Sequence, residues 1–280
     1  MRSKTPLTDR RTVLTSSVIG VVALAGCSAL PMWDDDGEPT PTETPTPVDD
    51  GVPDADPDAD AGDAPEDFPY PDGYAADGVV DPDAATQAHV DGATANANYI
   101  FAYDSVIEQD GEMAGVTVVN YVDNESETAI VATEVHDESA TTRYYEDDTV
   151  YVRQDDGEDV TYASGSQPYE MSQFTGTEFV APLLDAVEYG DAEVVETDEG
   201  EFLRYTSESV TDPERIVGGE VDEDRIDRFD VSIVVDENGL VRGAGYTAEA
   251  DRNLVVELSL GEIGATHIDR PEWIDEAESD

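Results

Sequence analysis

Val231-Ser232-Ile233-Val234-Val235, then Asp236-Glu237-Asn238-Gly239, then Leu240-Val241-Arg242-Gly243-Ala244-Gly245-Tyr246: this stretch decides the fold. The flanking runs are rich in β-branched side chains, which fit a pleated surface and lose χ1 freedom in a helix. Between them Asn238-Gly239 can take the positive φ values of a tight turn. The stretch reads as a β-hairpin. The run after it, residues 254–260, alternates without a break: Leu254, Val256, Leu258 and Leu260 lie on one face, Val255, Glu257 and Ser259 on the other. One face is buried and the other is at least partly wet.

The same pattern recurs outward from this hairpin. Residues 192–197 pair with 201–207 across Asp198-Glu199-Gly200, and 142–145 pair with 150–154 across Glu146-Asp147-Asp148. Residues 99–107, 115–122 and 128–136 are further strands. A sheet of about nine or ten strands must curl or close.

Helices are few. Asp81-Pro82 is an N-cap followed by Pro at the first helical position, opening a helix to about Ala93. A second helix begins near Thr177 or Ala181 and puts Val180, Leu183, Leu184 and Val187 on one stripe, which would cover an apolar face of the sheet. Asp212-Pro213-Glu214 signals a third start, inside a connection from Ser207 to Phe229 that is too long for a simple hairpin. Connections of that length serve as lids and binding loops, or as surface excursions that cap a sheet end.

The chain before Phe68 has a different character. Arg2, Lys4, Arg10 and Arg11 precede an apolar stretch from Val13 to Leu24, and Leu24-Ala25-Gly26-Cys27 closes it. This is the grammar of an export signal, residues 1–26, ending in a lipobox whose thiol carries a lipid. Cys27 is the single cysteine of the chain. The apolar run is shorter than the roughly 20 residues a spanning helix needs. Arg10-Arg11 ahead of Thr12-Val13-Leu14 resembles the twin-arginine export motif, with Asp9 and Val13 departing from its usual form; the general secretory route is the alternative. After Trp33 the stretch to residue 67 is built mainly of Pro, Thr, Asp, Glu, Ala and Gly and cannot form a core, so 27–67 reads as a flexible stalk. Asp54, Asp56, Asp58 and Asp60 imitate the start of a calcium loop but lack its glycine and flanking helices. The globular domain is expected at 68–275, with an acidic tail at 276–280.

Lys+Arg number 13 against 68 Asp+Glu, a net charge of −55. Loss of residues 1–26 removes four basic residues and Asp9, leaving a mature net charge of −58 with no lysine. Self-repulsion on that scale opposes a compact state in ordinary buffer, where the Debye length is about 8 Å, and is confined to near neighbours in molar salt, where it is about 3 Å. The composition suits saturated brine. It also argues against nucleic acid as a partner, since phosphates would be repelled.

No constellation of catalytic residues stands out. His89, His136 and His267 are scattered and there is no second cysteine, so no zinc-type ligand spacing exists, and neither a metal nor any other cofactor is expected. The nucleophile elbow, the phosphate-binding loop and the dinucleotide fingerprint are all missing, and Gly218-Gly219 reads as a turn. Tyr99, Tyr103, Tyr121, Tyr144, Tyr145, Tyr151 and Tyr162 could line a cavity with amphipathic rings, or simply pack across strands.

An early helix, Tyr- and Val-rich antiparallel strands, a helix over 179–189, more hairpins and a closing strand before Pro271-Glu272-Trp273 make residues 79–275 resemble the surface lipoproteins of haloarchaea, which are similar in organisation to LolA/LppX-like lipoprotein carriers. The resemblance implies an α+β fold: a strongly curved antiparallel half-barrel with a few helices on its concave side, around an apolar cavity. It carries over no ligand-binding residue. The expectation is a non-enzymatic lipoprotein, held on the outer face of the cell membrane by the lipid on Cys27, that binds or carries an apolar, lipid-like ligand. The alternative is a structural or interaction module with a filled core. What separates them is whether the space between the 179–189 helix and the sheet is open or packed.

Overall fold

In the computed structural model the deciding stretch is a hairpin, but its turn is not the symmetric one that Asn-Gly suggests. Only Gly239 takes a positive φ, +84°. The Asp236 carboxylate accepts from the N–H groups of Asn238 and Leu240 at 2.8 and 3.1 Å, and the Gly239 N–H donates to the Asp236 carbonyl. Asp236 therefore organises the loop, and glycine supplies the one left-handed residue.

The structure describes residues 62–63 and 69–278 apart from 110, 137, 198, 218–225 and 251. The chain divides after Pro57, and the fold is that of the unit from Asp58 onward. Arg10, Arg11, the lipobox Leu24-Ala25-Gly26, Cys27, the acidic run at 54–60 and Gly218-Gly219 lie outside the described residues.

In chain order the elements are β1 (Gly62–Asp63), β2 (Tyr74–Ala75), β3 (Gly78–Val79), α1 (Pro82–Thr94), β4 (Asn98–Gln109), β5 (Glu112–Asp123), β6 (Thr128–Val135), β7 (Ser139–Glu146), β8 (Thr149–Asp155) and β9 (Val160–Ser166). A 3-10 turn (Met171–Phe174) leads into α2 (Thr177–Asp185), then β10 (Glu193–Thr197), β11 (Gly200–Ser207), α3 (Pro213–Val217), β12 (Arg228–Val235), β13 (Val241–Glu249), β14 (Asn253–Gly261) and α4 (Ile274–Ala277). β2 and β3 form a small ladder of their own. The remaining twelve strands make one antiparallel, curved, unclosed sheet in the order β1-β10-β11-β12-β13-β14-β4-β5-β6-β7-β8-β9. The fold is α+β, as expected. β1 reaches into the stretch that composition assigns to the stalk, pairing Gly62 with Val194.

Apart from β1, which adds to β10 at one edge, the sheet is two runs of sequential antiparallel strands, β10–β14 and β4–β9, joined at a non-local seam where β14 pairs with β4. The register there places Leu254, Val256, Leu258 and Leu260 opposite Ile107, Ser105, Tyr103 and Phe101. One face of the sheet is thereby apolar across the seam, and α1, α2 and α3 pack on it, whereas α4 lies over β8 and β9 on the opposite face; we call the first the inner face. Asp81 caps α1 by accepting from the Ala84 N–H at 3.1 Å, with Pro82 at the first helical position. α1 buries Ala85, His89 and Ala93. α2 buries Val180, Leu183 and Leu184.

Three departures have physical reasons. The second helix stops at Asp185 instead of running to Tyr189: Ala186 caps it through Pro182, the Ala186 carbonyl accepts from Thr211, and Val187 leaves the helical stripe to bridge Val210. β9 has an almost fully exposed sequence, Val-Thr-Tyr-Ala-Ser-Gly-Ser, because an edge strand needs no buried alternation. The C-terminal residues are docked: Ile274 and Ala277 are buried, and Arg270 pairs with Glu146, Asp275 and Glu278.

Candidate functional site

The pleat sends Val118 and Asn120 of β5, Val131 and Thr133 of β6, and Arg143 and Tyr145 of β7 to the inner face. The registers align them in rungs: Asn120 opposes Val131, which opposes Arg143. Above this floor lie Gln173 and Phe174 of the 3-10 turn and Glu178 and Phe179 of α2. Between floor and roof is a half-open pocket of about 230 Å³.

The roof is set by two side chains from different layers. Asn120 Nδ2 donates to the Phe174 carbonyl at 2.9 Å. On α1, His89 accepts the Val241 N–H at Nδ1, 3.3 Å away, which leaves Nε2 to donate to the Thr175 carbonyl at 3.0 Å. Burial drives the His89 pKa down to about 4, so the ring is neutral near pH 7. Gly176 follows with φ +73°, and its bare Cα faces Phe101 so closely that a Cβ would sit 2.2 Å from the ring. Phe179 then stacks on Tyr103 with centroids 4.0 Å apart. Phe174 meets the Tyr145 ring edge-on at 4.9 Å. The space beneath α2 is thus packed on its β4 side and open on its β5–β7 side.

Polar groups punctuate the apolar lining. Asn120 is 3% exposed, and its Oδ1 has no hydrogen-bond partner among the described residues. Arg143 is half-buried, with no hydrogen bond or ion pair among the described residues. Burial pushes the Tyr145 phenol above its ordinary pKa, against the pull of the Arg143 charge and of a hydrogen bond with Gln167. Glu178 is exposed at the mouth.

The structure separates the tyrosines that sequence grouped. Tyr99, Tyr103 and Tyr145 face inward, and of these Tyr145 lines the pocket. Tyr121, Tyr144, Tyr151 and Tyr162 lie on the opposite face, where Tyr162 stacks on Trp273 and Tyr151 donates to Glu278. The histidines stay apart: His136 meets Thr117 on the outer face, His267 is exposed beside Asp269, and His89 is buried. Among the described residues no three His, Cys, Asp or Glu side chains gather as metal ligands, and no helix is long and apolar enough to cross a membrane. Sequence reasoning missed Asn120, Arg143 and Phe174. The signal was there in part: Asn120 stands between Val118 and Val122 at a position where alternation asks for an apolar residue.

A family model described as a family of unknown function (DUF7537) matches residues 12–277. No curated protein matches the chain. Among solved structures the chain is similar to the Mycobacterium tuberculosis lipoprotein LppX, with 12% identity over 68% of this chain and 97% of that one and a TM-score of 0.36. It is similar to LprF from Mycobacterium bovis, with 14% identity over 68% and 96% and a TM-score of 0.35. A LolA superfamily protein from Nitrosomonas europaea is similar at 10% identity over 69% and 96%, with a TM-score of 0.27.

Proposed function

Because the chain belongs to DUF7537, a family of unknown function, its role has to be argued from its own residues, and we propose that it is a membrane-anchored extracytoplasmic lipoprotein that binds an apolar, lipid-like ligand without catalysing a reaction. The observation that carries the binding role is the half-open pocket of about 230 Å³ beside the packed core. Its floor of Val118 and Val131 and its roof of Phe174 and Phe179 offer apolar surface to a ligand that can enter from solvent. The volume is just under the roughly 300 Å³ at which pockets for drug-sized molecules begin, so it accepts one short acyl- or ring-sized segment and not a whole two-chain lipid. The anchoring role rests on the export signal, the lipobox and Cys27, and the stretch between Cys27 and β1 is the stalk that lifts the binding domain off the membrane.

Mass spectrometry of organic extracts from protein purified out of its native membrane in molar salt tests the reading. The expected result is an amphiphile at near-stoichiometric amount, lost in Val131→Trp, whose indole fills the floor. The packing of α1 and the β4 side of α2 favours the second reading, a structural module with a filled core. Extracts equally empty for wild type and Val131→Trp would establish that one instead.

A further inference from the structure

Acidic residues outnumber basic ones 68 to 13 in this chain, so a cation is easily neutralised wherever it points. The described arginines mostly obey. Arg153, Arg204, Arg215, Arg228, Arg242 and Arg270 each hold a carboxylate, and Arg252 donates to the Val217 carbonyl at 2.7 Å. Arg143 is the exception, lining the pocket with no carboxylate within ion-pair distance among the described residues. Its register position, opposite Val131 on one side and Val152 on the other, puts it on the inner face beneath the roof and away from the outer face where Arg153 meets Asp155.

A second group in the same rung is also unsatisfied. Asn120 spends its Nδ2 on the Phe174 carbonyl, and that bond fixes the amide so that Oδ1 is the free acceptor. A buried acceptor without a donor is costly and is rarely left so. Asn120 and Arg143 are two strands apart with Val131 between them, roughly 10 Å by strand spacing. Glu178, the one carboxylate lining the pocket, sits exposed at its mouth.

Resting on the reading of this pocket as a binding site, we propose that the ligand is an amphipathic anion: Arg143 takes its carboxylate or phosphate head, its short apolar body lies over Val131 between Val118, Phe174 and Phe179, and Asn120 Oδ1 accepts an N–H or O–H from the body's far end or from a water bound with it. A guanidinium fork matches carboxylate and phosphate oxygens in pairs, and a partly buried pair is screened by salt far less than an exposed one. The pocket therefore selects an anion even in brine.

Calorimetric titration of the folded wild-type protein in molar potassium chloride tests this with octanoate, octyl phosphate, octanol and acetate. The expected result is that one or both eight-carbon anions bind about ten- to a hundredfold more tightly than octanol, with the stronger of the two identifying the head group, while acetate binds far more weakly. Arg143→Gln should erase the preference of the anions over octanol. Equal affinity for octanol and the anions, an undiminished preference in Arg143→Gln, or acetate binding as tightly as octanoate would each overturn the head-group inference while leaving the apolar pocket standing. No binding of any eight-carbon probe by protein with a normal circular-dichroism spectrum would overturn both.

Discussion

His89 and Asn120 grip adjacent carbonyls, those of Thr175 and Phe174, at 3.0 and 2.9 Å. One comes from a helix and the other from the sheet, so the connection entering α2 is held from both layers. The pocket roof is consequently a fixed element, positioned by two hydrogen bonds that do not depend on ligand.

The His89 contribution is pH-dependent. Its folded pKa, lowered by burial to about 4, lies below the ordinary 6.5, so the unfolded chain binds the extra proton between these values. Stability from this group is complete above about pH 6.5 and declines as pH falls toward 4, by roughly 3 kcal/mol in total. Thermal melts in molar potassium chloride, where surface repulsion is screened, should show this decline in wild type. His89→Gln should be less stable near pH 7 and flatter with pH. An unchanged pH slope in His89→Gln would show that other groups govern acid sensitivity.

Gly176 allows the closest approach in the roof. Gly176→Ala should cost about 2–5 kcal/mol, combining a left-handed backbone for an L-residue with a methyl driven into the Phe101 ring. Gly157→Ala is the control: its φ is +82° but a Cβ there meets nothing within 4 Å, so only about 1–2 kcal/mol of backbone strain is expected. Chemical denaturation of the pair separates strain from overpacking, and equal losses would remove the packing argument.

Legibility from sequence followed the range of the interaction. The 231–246 hairpin, the capped start of α1 and the β7–β8 turn, where Asp147 and Asp148 both take positive φ, are local and could be read directly. The β14–β4 seam could not, because alternation shows that Leu254 to Leu260 have a buried face without saying which strand lies beside them. Tyr121, Tyr144, Tyr151 and Tyr162 fell on the far face for the same reason: their side of the sheet depends on register, and Tyr144 differs from Tyr145 only by one step of the pleat. Arg143 and Asn120 were visible as polar breaks in strand runs, but their meaning needed the roof above them.

The anchor is tested by Cys27→Ser. A diacylglyceryl-type thioether supplies the two chains that stable anchoring takes, whereas one chain binds marginally. The variant should remain uncleaved or appear in the medium, and replacing Arg10-Arg11 with Lys-Lys should leave precursor in the cytoplasm. Membrane fractionation with mobility analysis reads both; an unchanged pattern for Cys27→Ser removes the lipobox, and normal export of the Lys pair points to the general secretory route.

Salt dependence of the fold is the final expectation. Of the 67 acidic residues in the mature chain, 53 lie from Phe68 onward with only 9 arginines against them, a net charge of −44 on the domain itself. The repulsion therefore belongs to the folded unit and cannot be assigned to the stalk. Below about molar ionic strength the Debye length grows from about 3 Å toward 8 Å and beyond, coupling each surface carboxylate to its second and third neighbours. The melting temperature should fall as potassium chloride is diluted. The surface ion pairs strengthen in dilute buffer, but 9 arginines against 53 acidic residues are too few to offset this. Acid can partly replace salt only near the ordinary carboxylate pKa of about 4, by which point the His89 contribution, declining from about pH 6.5, has already been lost. Circular dichroism melts across a potassium chloride series, with Trp fluorescence of Trp273 on its Tyr162 platform as a second probe, measure the effect. A melting temperature that stays level from molar salt to dilute buffer would mean that paired and hydrogen-bonded carboxylates already neutralise the domain's field.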